Sequence, residues 1–237
     1  MRFILFITMK ELMLQPRLQL LADMVLPNAR LADVGTDHGY LPAWLLQKGR
    51  IESAIASDIV QGPLNHARQT AAEYGVTGID FRLCSGLDTI APEEVDTIII
   101  AGMGGETIQA ILSAASWTAA GGHLLLLQPM TKVEYLRKWL TDNGYTFTQE
   151  RLVFDKEHLY PVFAVHGGQQ PPLTAAQEYG GVLLDDDPLY AAYLDERIGK
   201  LDKAIKGLRR STDERSAVKV ITLTDICRVL KEKRDTL

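Results

Sequence analysis

Cysteine is nearly absent from this 237-residue chain: Cys84 and Cys227 are the only two, far apart and without C-x-x-C or metal-ligand spacing. That pattern excludes a disulfide framework and gives no thiolate-held metal, and free thiols in a reducing cytoplasm are expected. Long apolar runs are also missing. No stretch approaches the roughly 20 apolar residues of a membrane-spanning helix, so no membrane partner is expected. The opening "MRFILFITMKE" carries too short an apolar core after Arg2 for a secretory signal, which needs about 7–15 residues. It reads as a short buried strand, or as sequence ahead of a start at Met9. The composition is otherwise that of an ordinary soluble protein, 46% apolar and 23% charged, long enough for one sizeable α/β domain with an appendage.

An overall positive charge is lacking too, and the net value of −5 argues against a polyanionic partner. The average conceals an asymmetry. From Arg197 to the end there are twelve Lys or Arg against six Asp or Glu, so the tail carries +6 and the rest −11. A basic appendage on an acidic body is a plausible contact for nucleic acid, although such helix faces are often merely solvated.

Apolar runs alternate with helical patterns. "RLADVG", "ESAIASD", "IDFRLCS", "VDTIIIAG" and "GHLLLLQP" read as strands. Helices are expected from about Tyr40 to Lys48, Gly62 to Tyr74, Glu106 to Ala115 and Val133 to Asn143. The fold class is therefore α/β, a mostly parallel sheet covered on both faces. "YTFTQERLVFD" and "LYPVFAVHG" are joined by "DKEH", too short for a crossover, so this last pair should be antiparallel. A linker, "HGGQQPPL", divides residues 1–168 from a helical part, 174–237. There Tyr190, Leu194, Leu201, Ile205 and Leu208 form one apolar set, and Val218, Ile221, Ile226, Val229 and Leu230 a second. They suggest two amphipathic helices in a coiled-coil-like hairpin, free-standing or packed on the main domain.

The chemistry concentrates at the carboxyl ends of the strands, where open α/β sheets bind ligands. "LADVGTDHGYLP" joins the first strand to the first helix. It lacks the G-x-G-x-x-G of dinucleotide sites, and Asp37 with His38 stands where a pyrophosphate needs bare amides. Carboxylates there suit a cofactor with a cationic sulfonium and an amino-acid end. Asp33, two residues before Gly35, would face the ammonium, and Asp58 at the end of the second strand could accept ribose hydroxyls or cap the next helix. Ser85 follows the third strand as an adenine contact. Gly102, Gly104 and Gly105 clear the end of the fourth, where a planar base could enter, and Gln128 ends the fifth. His38, His158 and Tyr160 are further polar candidates.

Together "LADVGTDHGYLP", "ASDIVQGPL", "RLCSGLDTI", "IIIAGMGGETI", "LLLQPM" and "ERLVFDKEHLYPVFAV" resemble the bacterial tRNA (adenine(22)-N1)-methyltransferase family. The resemblance spans roughly residues 18–165, and the helical tail matches that family's coiled-coil appendage. It implies a Rossmann-like class I methyltransferase that uses S-adenosylmethionine to methylate N1 of an adenine in the tRNA D-arm region. The implied cofactor residues are Asp33, Gly35, His38, Gly39, Tyr40 and Leu41 in the first turn. Asp58 and Ile59 follow in the second, Ser85, Gly86 and Leu87 in the third, and Gly102 in the fourth. Asp33, Asp37, Gly102, Met103 and Gln128 are candidates for positioning the substrate. Lys200, Lys203, Arg209 and Arg210, with Arg17, are expected to grip tRNA. Where the family usually has "GDGL", this chain reads "CSGL", so Ser85 replaces an acid at the adenine pocket. A cytoplasmic monomer without metal is expected, with a weak dimer as the alternative. Competing readings are a methyltransferase for another RNA base, a small molecule or a protein, a nicotinamide dehydrogenase, and a non-catalytic helical scaffold.

Overall fold

The computed structural model describes residues 11–211 and 213–237; the opening strand or alternative start at residues 1–10 lies outside them. The first element, α1 (Pro16–Met24), begins with proline in its first turn, where a missing N–H costs nothing. Strands β1 (Ala29–Val34), β2 (Ile51–Asp58), β3 (Ile79–Leu83), β4 (Thr97–Gly104) and β5 (Leu124–Thr131) alternate with four helices. These are α2 (Tyr40–Gln47), α3 (Gln61–Glu73), α4 (Gly105–Ala114) and α5 (Val133–Asp142). The strands lie in the order β3-β2-β1-β4-β5-β7-β6, parallel except for β7 (His158–Gly167), which runs antiparallel to both β5 and β6 (Tyr145–Asp155). Only Lys156 and Glu157 join β6 to β7, and Lys156 takes a left-handed φ of 57° to make the turn.

Strand periodicity divides the core. Ile98 and Ile100 face α4 and α5, packing with Ile108, Leu112, Leu136 and Leu140. Ile99, between them in sequence, points to the other side and joins Leu21 of α1 and Leu41 and Leu45 of α2. Both faces of the sheet are thus covered, and the open carboxyl edge of β1, β2 and β4 is left for chemistry.

A third core belongs to the helical part, α6 (Ala175–Gly180), α7 (Tyr190–Leu208) and α8 (Glu214–Arg234). The α7 seam is the one expected, with Tyr190, Leu194, Leu201 and Ile205 buried. The α8 seam is corrected. Leu223, Ile226, Cys227 and Leu230 are buried, whereas Val218 and Ile221 are exposed. The i, i+3, i+4, i+7 spacing of the first set keeps one stripe toward α7. Two short helices, α1 and α6, are additions to the sequence reading. The second is announced by a capping box in which Thr174 and Gln177 satisfy each other's amides.

The hairpin is tied to the sheet by a buried ion pair. Arg137 of α5 donates to Glu150 of β6 through Nη2 at 2.6 Å and Nε at 3.0 Å, and both side chains are fully buried. Arg137 also donates to the Glu178 carbonyl and to Tyr193 Oη, while the other Glu150 oxygen accepts the amides of Val182 and Leu183. Leu152 of β6 adds an apolar contact to the same junction.

Candidate active site

β1 ends by delivering Asp33 into a hollow of about 340 Å³ lined also by Gly35, Thr36, Asp37, His38, Tyr40 and Leu41, with Arg17 and Gly102 opposite. The turn is held by backbone: Gly35 and Thr36 N–H both donate to the Ser57 carbonyl, and Gly39 N–H donates to that of Thr36. Gly35 (φ 76°) and Gly39 (φ 65°) take left-handed conformations, and a Cβ at Gly39 would lie 2.8 Å from that of Ala67. Thr36, which the sequence reading passed over, donates its hydroxyl to Asp33 Oδ2 at 2.6 Å. Burial pushes the Asp33 carboxyl up to about 6. The Thr36 hydrogen bond works against that rise and the nearby charge of Asp58 adds to it. Among the described residues no cation pairs with this buried carboxylate, which leaves the site electrostatically unfinished.

On the other side of Gly35 lies a second hollow, about 160 Å³, lined by Asp58, Ile59, Cys84, Ser85, Gly86, Met103 and Ile111. The Met103 side chain packs where a Cβ on Gly35 would sit, so Gly35 and Met103 separate the two hollows. Asp58 Oδ1 accepts the Val60 amide at 2.8 Å, fixing the approach to α3, and its second oxygen carries no such bond. Ser85 is exposed at the rim; Leu87 turns its side chain into the core and has only backbone to offer a ligand. A long two-part pocket, acidic at one end and apolar with a carboxylate at the other, fits S-adenosylmethionine. Asp33 would face the ammonium, Asp58 the ribose, and the segment Ile59 with Ser85–Gly86 the adenine.

The Gly102 turn is held by Gln128, which is fully buried. Its Oε1 accepts both Gly102 N–H (3.1 Å) and Arg17 Nη1 (2.8 Å), and its Nε2 donates to the Pro129 carbonyl. With those atoms engaged, Gln128 holds the Gly102 turn and keeps little capacity to bond a base edge itself. Arg17 is expected at a tRNA surface; the structure places it in the pocket wall, paired with Asp155 at 2.7 Å. Asp155 is a second residue that the sequence reading missed.

His38 sits at the pocket mouth in a stack of three rings, 5.3 Å from Tyr40 and 5.0 Å from His66, with interplanar angles of 11° and 8°. Asp37, His38 and His66 bring ligand-type atoms within 4.8 Å. Two nearly parallel imidazoles do not direct their lone pairs at a common point, so the arrangement as it stands is a stack rather than a chelate. The basic residues of the tail do not form one patch. Lys200 lines a cleft against the sheet edge, whereas Arg209 lines a hollow between α7 and α8, and their offset of nine positions puts them on opposite sides of the helix. Lys203 and Arg210 are exposed.

The chain matches a methyltransferase-domain family profile over residues 14–163. It is 34% identical over 187 residues, 78% of this chain and 76% of the other, to the tRNA (adenine(22)-N(1))-methyltransferase of Bacillus subtilis. The crystal structure of the B. subtilis m1A22 tRNA methyltransferase superposes with a TM-score of 0.83 at 28% identity, covering 94% of this chain and 99% of that one. A Streptococcus pneumoniae protein described as a candidate tRNA (m1A22) methyltransferase, solved with S-adenosyl-L-methionine, is 32% identical. It superposes with a TM-score of 0.78 over 91% of this chain and 97% of that one. With this identity across most of both chains and a matching methyltransferase-domain profile, the chain belongs to the tRNA (adenine(22)-N(1))-methyltransferase family.

Proposed function

We infer that this protein transfers a methyl group from S-adenosylmethionine to N1 of adenine 22 in tRNA. The observation that carries the reading is Asp33, a buried carboxylate that no cation pairs with among the described residues, in a pocket that offers no phosphate-binding glycine loop. Bound there, S-adenosylmethionine supplies an electrophilic methyl. The residues of the chain have the task of orientation, because the adenine N1 lone pair is already nucleophilic and asks for neither a covalent intermediate nor a metal. Gly102 leaves an open edge for a planar base, and Gln128 and Arg17 hold that edge in place. The methylated base is cationic, so Asp37, exposed beside the pocket, would stabilise it and take up its N6 proton, while a carbonyl of the Gly102–Gly105 turn could accept a hydrogen bond from N6.

N1 lies on the pairing edge of the base, so the enzyme must unstack or extrude adenine 22 before reaction. The helical part, residues 174–237, would hold the surrounding phosphates, with Lys200, Lys203 and Arg210 on one side of α7. We also propose that the protein acts as a cytoplasmic monomer. Among the described residues no helix is long and apolar enough to cross a membrane. The test is incubation of unmodified tRNA with methyl-labelled cofactor, followed by mapping. Label on N1 of adenine 22, lost when that position is guanine, is expected. Label on another base, or none, would overturn the assignment.

A further inference from the structure

Between the edge of the sheet and the helical hairpin runs a cleft of about 480 Å³, separate from the Asp33 pocket. On a protein of net charge −5, its wall carries Lys132, Arg197, Lys200 and Lys219 against two acids, Glu134 and Glu196. Arg197 donates from Nη2 to Glu134 at 2.8 Å, and Lys200 pairs with Glu196, so the charge in surplus is positive. Tyr160 and Tyr179, both half-buried, add flat surfaces, while the buried Tyr193 lies beneath Arg197, 6 Å from guanidinium to ring centre. Arg197 also carries an unmet demand. Its side chain is only 12% exposed, and its buried Nε has no hydrogen-bond acceptor among the described residues. A buried donor left open in this way calls for an acceptor from outside the chain.

The cleft and the Asp33 pocket share a wall. Arg17 lines the pocket, and its guanidinium lies 5.4 Å from the ring of Tyr160, which lines the cleft. Its Nη1 is 3.6 Å from the sulfur of Met130, another cleft residue. A base at the open edge of Gly102 would therefore have its strand neighbour at the cleft entrance.

We propose that this cleft is a nucleotide subsite for the RNA strand adjoining the target adenine, its phosphate met by Arg197, Lys200 and Lys219 and its base by Tyr160 and Tyr179. The proposal rests on the tRNA-methylation reading and adds to it a site between the two lobes. Volume and lining suit one nucleotide, a mixed surface of apolar and aromatic walls with a few directed charges.

The test compares wild type with K200Q/K219Q, whose two lysines are exposed, and with R197K, which keeps a cation for Glu134 but loses Nε. Direct tRNA binding, KM and kcat for unmodified tRNA, S-adenosylmethionine affinity and melting temperature are measured for each. For K200Q/K219Q we expect a rise of roughly tenfold in tRNA Kd and KM. The slope of log affinity against log salt should become shallower by about one to two, since each phosphate contact contributes about 0.7–0.9. R197K should weaken tRNA binding at an unchanged melting temperature, and kcat and cofactor affinity should hold in both variants. Unchanged tRNA Kd and salt slope in both variants would overturn the proposal. So would adenosine 5′-monophosphate binding to wild type and not to the variants while tRNA affinity stays constant, which would assign the cleft to a free nucleotide. If wild type bound tRNA but methylated none, the enzymatic reading would fail while the binding comparison still decided the subsite.

Discussion

Replacing Asp33 by Asn separates what this carboxylate costs the fold from what it gives the cofactor. Asparagine is nearly isosteric, and its carbonyl oxygen can still accept the Thr36 hydroxyl bond. What disappears is a buried negative charge. The folded carboxyl sits at about 6 against an ordinary 3.8. A carboxyl raised on folding makes the folded state less stable as pH climbs, because the unfolded chain gives up the proton earlier. That cost is absent below about pH 4, about half developed at pH 5 and complete above about pH 6, where it reaches about 3 kcal/mol. D33N should therefore be the more stable protein without cofactor at pH 7.5, by several degrees in melting temperature, with the gain about halved at pH 5.

Cofactor affinity should move the other way. Loss of a charge-assisted hydrogen bond to the cofactor ammonium, worth about 1.5–3 kcal/mol, weakens S-adenosylmethionine binding about 10- to 100-fold. In wild type the same group must shed a proton to receive the cation, so affinity should fall about tenfold per pH unit below 6, with proton uptake by the buffer. Calorimetry in buffers of different ionisation enthalpy, with thermal melts from pH 5 to 8, measures both. A D33N gain that is nil at pH 7.5 or equal at both pH values, or cofactor affinity untouched by the substitution, would refute the argument.

Substitutions centred on three other residues, Arg137, Gly39 and Arg17, probe the supports of the site. R137M strands Glu150 in the core with only the Val182 and Leu183 amides, and should lower stability by about 3–5 kcal/mol in urea titrations. R137K should rescue little of that, since one ammonium cannot serve Glu150, the Glu178 carbonyl and Tyr193 together. G39A forces a left-handed residue to carry a Cβ against Ala67, at a cost of about 1–3 kcal/mol; A67G in the same chain should recover the contact but not the backbone strain, which a double-mutant cycle reads directly. R17A removes one of the two donors on Gln128 and the partner of Asp155, and should lower kcat by about tenfold in single-turnover assays, while R17K keeps the ion pair and falls between.

Much of this molecule is legible in its sequence because strand and turn chemistry are local. "LADVG", "ESAIASD" and "TIIIAG" state their burial by composition, and "DKEH" is too short for anything but a reversal. The contacts that finish the site are not local. Arg17 reaches Gln128 across 111 positions and Asp155 across 138, and no pattern in "QPRLQ" distinguishes it from a solvated arginine. Pro16 after Gln15 is a helix-start signal that would have announced α1 and brought Arg17 to the sheet edge. The α8 stripe went astray for a related reason. Val218 and Ile221 fit an apolar period as well as Leu223 and Cys227 do, and only the position of α7 decides which face is covered.

Two buried carboxylates in this fold make opposite arguments about function. Glu150 is enclosed completely, yet its oxygens meet a guanidinium and two amides within the chain, so its charge is accounted for by structure and its role is to join the lobes. Asp33 is almost as buried and meets one hydroxyl. Were its role structural, an asparagine would serve the Thr36 bond without the charge, at lower cost to the fold. The charge has a use only if something positive enters from outside. A sulfonium with an ammonium three carbons along the chain answers that need, and a dinucleotide pyrophosphate opposes it. On the proposed function, Glu150 and its arginine keep the sheet and hairpin together while Asp33 would keep a place for the methyl donor. An RNA that needs both lobes can then meet a cofactor held by one.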